Sequence, residues 1–181
     1  NALAAMAVLL EMGLDFDEIT EALFRFRGAR RRLEIKIDTD KTMVVDDYAH
    51  HPAEVAASIR ALSRLGKPLT IVFQPHRFSR TRHLGAQFGP VFREAKEIIL
   101  TEIYGAGEEN PDNVTSELIY NSVLATRHPA VKMVPKARVI DYLLSKGSPE
   151  GIVAFLGAGD IEEVADEFAR RVKSGEETEP P

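Results

Sequence analysis

The sequence predicts an α/β fold: a Rossmann-like, mostly parallel sheet flanked by helices and preceded by a short helical hairpin. Three observations lead there. Short β-branched runs such as TMVV at 42–45 and LTIVF at 69–73 alternate with longer segments of helical character. Polar turns separate each run from the helix that follows it. The 181 residues, 44% of them hydrophobic, are enough for one substantial core with a small appendage.

Residues 2–12, ALAAMAVLLEM, are strong helix formers, and Gly13 offers a stop. Asp15 or Asp17 can cap a second helix reaching about Phe26, with Ile19, Leu23 and Phe26 spaced along one face. The two helices form the hairpin. Gly28 breaks the pattern, which puts the domain boundary between 1–28 and 29–181. A charged strand over 31–38 turns at Asp38-Thr39-Asp40 into a strand over 42–48.

A regular order follows: helix 53–65, strand 69–74, helix about 82–95, strand 97–103, helix 115–126, strand 130–134, helix 137–146, strand 151–156 and helix 160–173. Pro52 suits a first helical turn, and Gly66 and Gly147 fall just past helix ends. The acidic, Pro-ended run SGEETEPP at 174–181 reads as a flexible natural C-terminus. Opening on Asn1 with no initiator Met, the chain reads as a piece of a longer protein.

Composition narrows the function classes. A net charge of −5 argues against a nucleic-acid binder, whose surface is usually basic. No apolar run approaches the roughly 20 residues of a membrane span, and no basic segment resembles a signal peptide, so a soluble, cytoplasmic protein is expected. The absence of Cys excludes disulfides, thiolate metal sites and a cysteine nucleophile.

If the strands after residue 42 are parallel, the turns at 46–52, 74–82, 104–110 and 157–160 share one sheet edge. Ligands of open α/β sheets gather outside the carboxyl ends of the strands, so that edge is the expected working face. It would gather Asp46, Asp47, His50, His51, His76, Arg77 and Arg80. Arg77 and Arg80, with Arg82 close behind, offer planar forks that match a carboxylate or phosphate. Basic residues at a helix start oppose the helix dipole, which favours an anionic ligand over local stability as their reason. Asp46 and Asp47 are successive strand positions and should point to opposite faces, so one enters the crevice. The two adjacent histidines match no compact metal motif. A histidine there can cap the helix or donate to substrate. In RFRGARRR at 25–32, one arginine can meet nucleotide phosphates. LGAGDI at 156–161 reads as a tight turn with Asp160 as N-cap. There is no P-loop, GxSxG elbow or HExxH, so the chain is expected to supply part of a catalytic cleft.

DDYAHHPAEV at 46–55 and FQPHRFSRTR at 73–82 together resemble the C-terminal domain of the Mur ligases of peptidoglycan synthesis, closest to their alanine-adding branch. NALAA at 1–5, GARRRLE at 28–34, EIYGAGEE at 102–109 and LGAGDI extend the resemblance over essentially the whole chain. It implies that 1–28 closes a central ATPase domain. It also implies an ATP-dependent ligase in which ATP activates the carboxylate of UDP-N-acetylmuramate as an acyl phosphate that L-alanine attacks to form an amide. ATP and Mg2+ would be bound mainly by the central domain. The partners implied are those two substrates and the enzyme's own central and N-terminal domains, with no nucleic acid and no membrane. By the same resemblance Asn1, Arg32 and Asp47 are catalytic, with Arg32 and Asp47 facing the nucleotide. Tyr48, His50, His76, Arg77 and Arg80 line the amino-acid pocket. No metal ligand is implied, and without a P-loop the chain alone should be inactive. The family usually has Pro where this chain has Gly105, and Phe is common at Leu33. Two alternatives remain: a recycling ligase that attaches a murein tripeptide, whose second motif lacks the histidine and paired arginines, or a non-catalytic Mur-like interaction domain.

Overall fold

In the computed structural model, which describes residues 2–26, 28–128, 130–145, 147 and 149–175, the chain divides into two compact units, Asn1–Arg30 and Arg31–Pro181. The division falls two residues beyond the expected one at Gly28. The first unit holds α1 (Ala2–Glu11) and α2 (Phe16–Arg25). Asp15, rather than Asp17, caps α2, its Oδ1 accepting from the Asp17 amide at 2.8 Å.

The second unit contains β1 (Glu34–Asp38), β2 (Thr42–Asp47), α3 (Pro52–Ser63), β3 (Leu69–Phe73), α4 (Phe78–Leu84) and β4 (Glu97–Leu100). It continues through α5 (Glu117–Ala125), β5 (Val131–Met133), α6 (Val139–Leu144), β6 (Gly151–Leu156) and α7 (Ile161–Ser174). The strands pair in the order β1-β2-β6-β3-β4-β5. Among the described residues only the β1–β2 pairing is antiparallel, the hairpin expected from Asp38-Thr39-Asp40. The parallel pairing brings the four polar turns to one edge of the sheet.

Alternate strand residues feed two cores. Val45, Ile71, Phe73, Ile98 and Ala154 pack with Val55 and Ile59 of α3 and with Phe88, Phe92 and Ile119. Val44, Val72, Ile99, Val153 and Phe155 pack on the other face with Val139 and Leu143 of α6 and Ala165 and Phe168 of α7. This is the period-2 logic of a sheet covered on both sides. Burial of each such large side chain contributes roughly 1.5–3 kcal/mol. Because β6 lies between β2 and β3, its turn leads to α7 while its neighbours' turns lead to α3 and α4 on the opposite face. The crevice of a doubly wound sheet opens at such a switch point.

Several elements depart from expectation: β4, expected over 97–103, ends at Leu100, and α6, expected over 137–146, spans Val139–Leu144. The strand expected over 31–38 begins only at Glu34, because Arg31 and Leu33 adopt left-handed backbone angles (φ 54° and 48°). The helix expected over 82–95 starts earlier, at Phe78, and ends at Leu84. Two 3-10 turns, Gly85–Gln87 and Gly89–Phe92, replace the rest, as Gly85, Gly89 and Pro90 weaken a continuous helix. At the C-terminus α7 runs through Ser174 to a left-handed Gly175 cap (φ 70°), and the remainder of the expected tail lies outside the described residues. Among the described residues no helix is long and apolar enough to cross a membrane.

Candidate functional site

The turn after β2 carries the first motif. Asp46 and Asp47 leave the strand on opposite faces, as their succession requires. Asp47 turns inward under α3. Its Oδ2 accepts from the Leu33 amide at 2.9 Å and the Ser58 hydroxyl at 3.2 Å, and its Oδ1 from the Ala49 amide at 2.7 Å. Its carboxylate therefore braces both the 31–33 segment and the Tyr48–His50 loop. His51 is the N-cap of α3, its Nδ1 accepting from the Ala53 amide at 3.3 Å, while Glu54 accepts from the amides of His50 and His51 at 3.2 Å each. Those bonds hold the Glu54 carboxyl below its ordinary range, although burial pushes the other way. His51 is thus spent on capping, and His50 is the histidine turned to the crevice.

Asp46 meets Arg31. The Arg31 Nε lies 3.3 Å from Asp46 Oδ2, its Nη2 donates to the carbonyls of Gly157 at 2.6 Å and Gly159 at 3.2 Å, and its Nε is 3.4 Å from Glu162 of α7. Its own carbonyl accepts from the Tyr48 amide at 2.8 Å. One guanidinium therefore ties the segment before β1 to the ends of β2 and β6. Sequence reasoning pointed to Arg32 and missed this residue, since five arginines in eight residues look alike without a backbone. The left-handed turn aims Arg31 inward and leaves Arg32 exposed. Burial pushes the fully buried Asp46 carboxyl up to about 6, against the pull of Arg31 and Lys36, and its Oδ1 has no hydrogen-bond partner.

The turn after β3 carries the second motif. Arg77 stands at a rare backbone angle for a non-glycine residue (φ 71°), held by its amide, which donates to the Tyr104 carbonyl at 2.8 Å, and by the Thr81 amide, which donates to the Arg77 carbonyl at 3.1 Å. Arg80 folds back so that Nη1 lies 3.0 Å from His76 Nδ1 and 3.2 Å from the His76 carbonyl. A guanidinium only donates, so His76 Nδ1 accepts and its proton sits on Nε2. Burial, then Arg80, His50 and Arg77, hold the His76 imidazole down at about 4, neutral at physiological pH. His50 is set the other way: its Nδ1 lies 2.9 Å from the Tyr48 carbonyl, an acceptor, so in the neutral ring Nε2 has the free lone pair. The crevice wall thus offers a ring donor at His76 and a ring acceptor at His50.

The rings form a row from Tyr48 to His50 (centroids 5.4 Å apart), His76 (5.6 Å) and Tyr104 (5.6 Å), with the Arg31 and Arg32 guanidinium carbons 5.0 and 5.9 Å from the Tyr48 ring centre. The arginines of the second motif diverge. Arg80 turns to His76, and Arg82 pairs with Asp112 away from the crevice. Arg77 is half exposed, 4.0 Å from Glu108. Glu108 also accepts from the amide and hydroxyl of Ser79 at 3.0 and 2.7 Å, which caps α4 and holds its own carboxyl below the ordinary range.

At the turn after β6, Asp160 occupies the N-cap position of α7, but its side chain does not cap. It bonds Gln74 Nε2 at 2.8 Å and Lys136 Nζ at 2.6 Å instead. The buried Gln74 caps α7 in its place, with Oε1 3.2 Å from the Ile161 amide. Gly105 has a packing reason: a Cβ there would lie 2.7 Å from the Phe78 ring. The geometry brings Tyr48, His50, His76, Arg77 and Arg80 to one edge, with Arg32 beside them and Asp47 beneath. Asn1 lies outside the described residues. Arg32 is exposed, and Asp47 is buried with its carboxylate bracing the loop. No three His, Asp or Glu side chains among the described residues cluster closely enough to hold a metal ion.

Residues 31–159 match the family model described as Mur ligase, glutamate ligase domain, and the chain belongs to that family. Within it, the chain is 40% identical over 174 residues to the UDP-N-acetylmuramate–L-alanine ligase of Gloeobacter violaceus, covering 96% of this chain and 38% of that protein. It is 36% identical over 178 residues to the enzyme of the same name from Pelotomaculum thermopropionicum, covering 97% and 39%. The crystal structure of the UDP-N-acetylmuramate–alanine ligase of Thermotoga maritima superimposes with a TM-score of 0.78 at 28% identity, over 97% of this chain and 37% of that one. A murein peptide ligase from Psychrobacter arcticus shares the fold (TM-score 0.61, 18% identity, 93% of this chain and 35% of that one). The chain thus spans less than two fifths of the curated relatives it matches.

Proposed function

We propose that this chain is the C-terminal, amino-acid-binding part of a cytoplasmic, ATP-dependent ligase that joins L-alanine to UDP-N-acetylmuramate. The observation that carries the reading is the His76–Arg80 pair beside His50 at the switch point, a small wall with fixed donors and one ring acceptor. Arg77 and Arg80 receive the alanine carboxylate, and their forked donors match its geometry. His50 Nε2 faces the amine, which must lose a proton before it attacks the acyl phosphate formed from ATP and the muramoyl carboxylate. His76, its Nδ1 committed to Arg80, donates from Nε2. Tyr48 closes the pocket below Arg32, which meets the nucleotide phosphates, and Asp47, which holds the loop that presents both, keeps the catalytic, nucleotide-facing role that the family resemblance implies. Asn1 is assigned a catalytic role on the resemblance alone, as is the identity of 1–28 with the end of a central ATPase domain. That domain would bind most of the ATP and Mg2+. Holding amine and acyl phosphate in near-attack geometry removes much of the entropic barrier.

In the complete enzyme, Arg80→Ala should raise the KM for L-alanine by about 30-fold or more, since truncating one partner of a desolvated charge pair costs roughly 2–5 kcal/mol. The KM for ATP should stay near that of the wild type. An equal rise in both constants would remove Arg80 from the amino-acid pocket.

A further inference from the structure

Tyr104 was not among the residues expected at the site, yet it touches both halves of the second motif. Its amide donates to the Pro75 carbonyl at 2.9 Å and its carbonyl accepts from the Arg77 amide at 2.8 Å, so a single residue of the next turn pins the backbone on either side of His76. Its ring lies against the His76 ring, centroids 5.6 Å apart and planes within 20°. Behind Tyr104 there is no room to retreat: a Cβ on Gly159 would fall 2.5 Å from Tyr104 Cγ and from Gln74 Oε1, so the β6 turn must be glycine to admit the ring. Elsewhere His76 meets the tilted ring of His50 (47°) and its bond to Arg80.

We infer that Tyr104 is a positioning residue for the amino-acid pocket, its ring fixing the plane of the His76 imidazole and its carbonyl fixing the backbone of Arg77. A half-turn of the His76 ring would replace Nδ1 by carbon opposite Arg80 and carry the Nε2 proton away from the crevice. The stacked Tyr104 face resists that turn, and the phenol hydroxyl has no part in it. The consequence for the alanine pocket rests on the function proposed above, whereas the consequence for the ring does not.

The test separates the two. The His76 ring is followed by NMR through a pH titration in the 181-residue chain as wild type, Tyr104→Phe, Tyr104→Leu and Gly159→Ala. Wild type and Tyr104→Phe should titrate alike, near 4. Tyr104→Leu uncovers the ring and should titrate about one pH unit higher. Gly159→Ala should move it the same way by displacing the phenol. If Tyr104→Leu does not fold, Tyr104→Met, whose narrow unbranched chain also leaves the face of the His76 ring open to water, takes its place. In the complete ligase, Tyr104→Leu should raise the KM for alanine about tenfold while leaving that for ATP in place, and Tyr104→Phe should restore it. An unmoved His76 titration in a folded Tyr104→Leu or Tyr104→Met overturns the positioning role. A shifted titration with an unchanged alanine KM overturns the assignment of this wall to the amino acid.

Discussion

Asp46 and His76 should give this domain two opposing pH dependences that single substitutions uncover. Burial raises the Asp46 carboxyl from 3.8 to about 6, and burial with Arg80 lowers the His76 imidazole from 6.5 to about 4. Between pH 4 and 6 the folded chain keeps a proton on Asp46 that the unfolded chain has released. The stability contributed by Asp46 is therefore fully present below 3.8 and lost as the pH rises through 6. For His76 the unfolded chain holds the extra proton, so its contribution is present above 6.5 and lost as the pH falls toward 4. Each one-proton difference changes stability by about 1.4 kcal/mol per pH unit, with opposite signs, so the two cancel in the wild type. Asp46→Asn leaves the His76 slope alone: from pH 4 to 6, with Asp46 half titrated at the upper end, its stability should rise by about 2 kcal/mol more than that of the wild type. His76→Gln should fall by a similar amount. Glu54 and Asp160, whose carboxyls sit below their ordinary range, act at the acid end in all three proteins and drop out of the difference. Urea unfolding followed by circular dichroism at pH 4, 5 and 6 reads these slopes. They are insensitive to any constant loss from Arg31 losing its partner. Parallel stability curves for wild type and Asp46→Asn would refute the reasoning.

Other substitutions probe the supports of the crevice. Arg31→Met should destabilise the domain by about 3–5 kcal/mol, since it leaves Asp46 as an uncompensated buried charge and frees the carbonyls of Gly157 and Gly159; Arg31→Lys should recover only part of this in urea midpoints. Ser58→Ala removes one of three hydrogen bonds on Asp47 and should cost about 1–3 kcal/mol with an unchanged denaturant slope. Gly105→Ala forces the Phe78 ring to move and should cost about 1–3 kcal/mol in thermal unfolding, while Gly107→Ala in the same loop, with nothing near its side-chain position, costs only the strain of its left-handed angle.

The architecture was legible because its signals are local. β-Branched runs ending in polar turns mark β2, β3 and β6, and Pro52, Gly66 and Gly147 punctuate helices where turn chemistry requires. The working edge followed from parallel pairing, which the alternation already demanded. What escaped is what depends on partners distant in the chain. The left-handed turn at Arg31–Leu33 exists because Arg31 finds carbonyls 126 and 128 residues away and Leu33 finds Asp47. Gln74 replaces Asp160 as the cap of α7 because Lys136 draws the Asp160 carboxylate away. Tyr104 carries no local signal in the sequence, because its role depends on the sheet setting its turn beside that of His76. The shortened α4, by contrast, was written in Gly85, Gly89 and Pro90, and a stricter reading of those breakers finds it.

The central claim is that this domain presents L-alanine to an activated muramoyl carboxylate. It is tested most directly by ADP release from the complete enzyme with ATP, UDP-N-acetylmuramate and, in parallel, L-alanine, glycine, L-serine or the murein tripeptide. The account predicts turnover with L-alanine and none with the tripeptide. Turnover with the tripeptide alone would contradict it and make the protein a recycling ligase, and no turnover with any acceptor would leave a Mur-like domain without ligase chemistry.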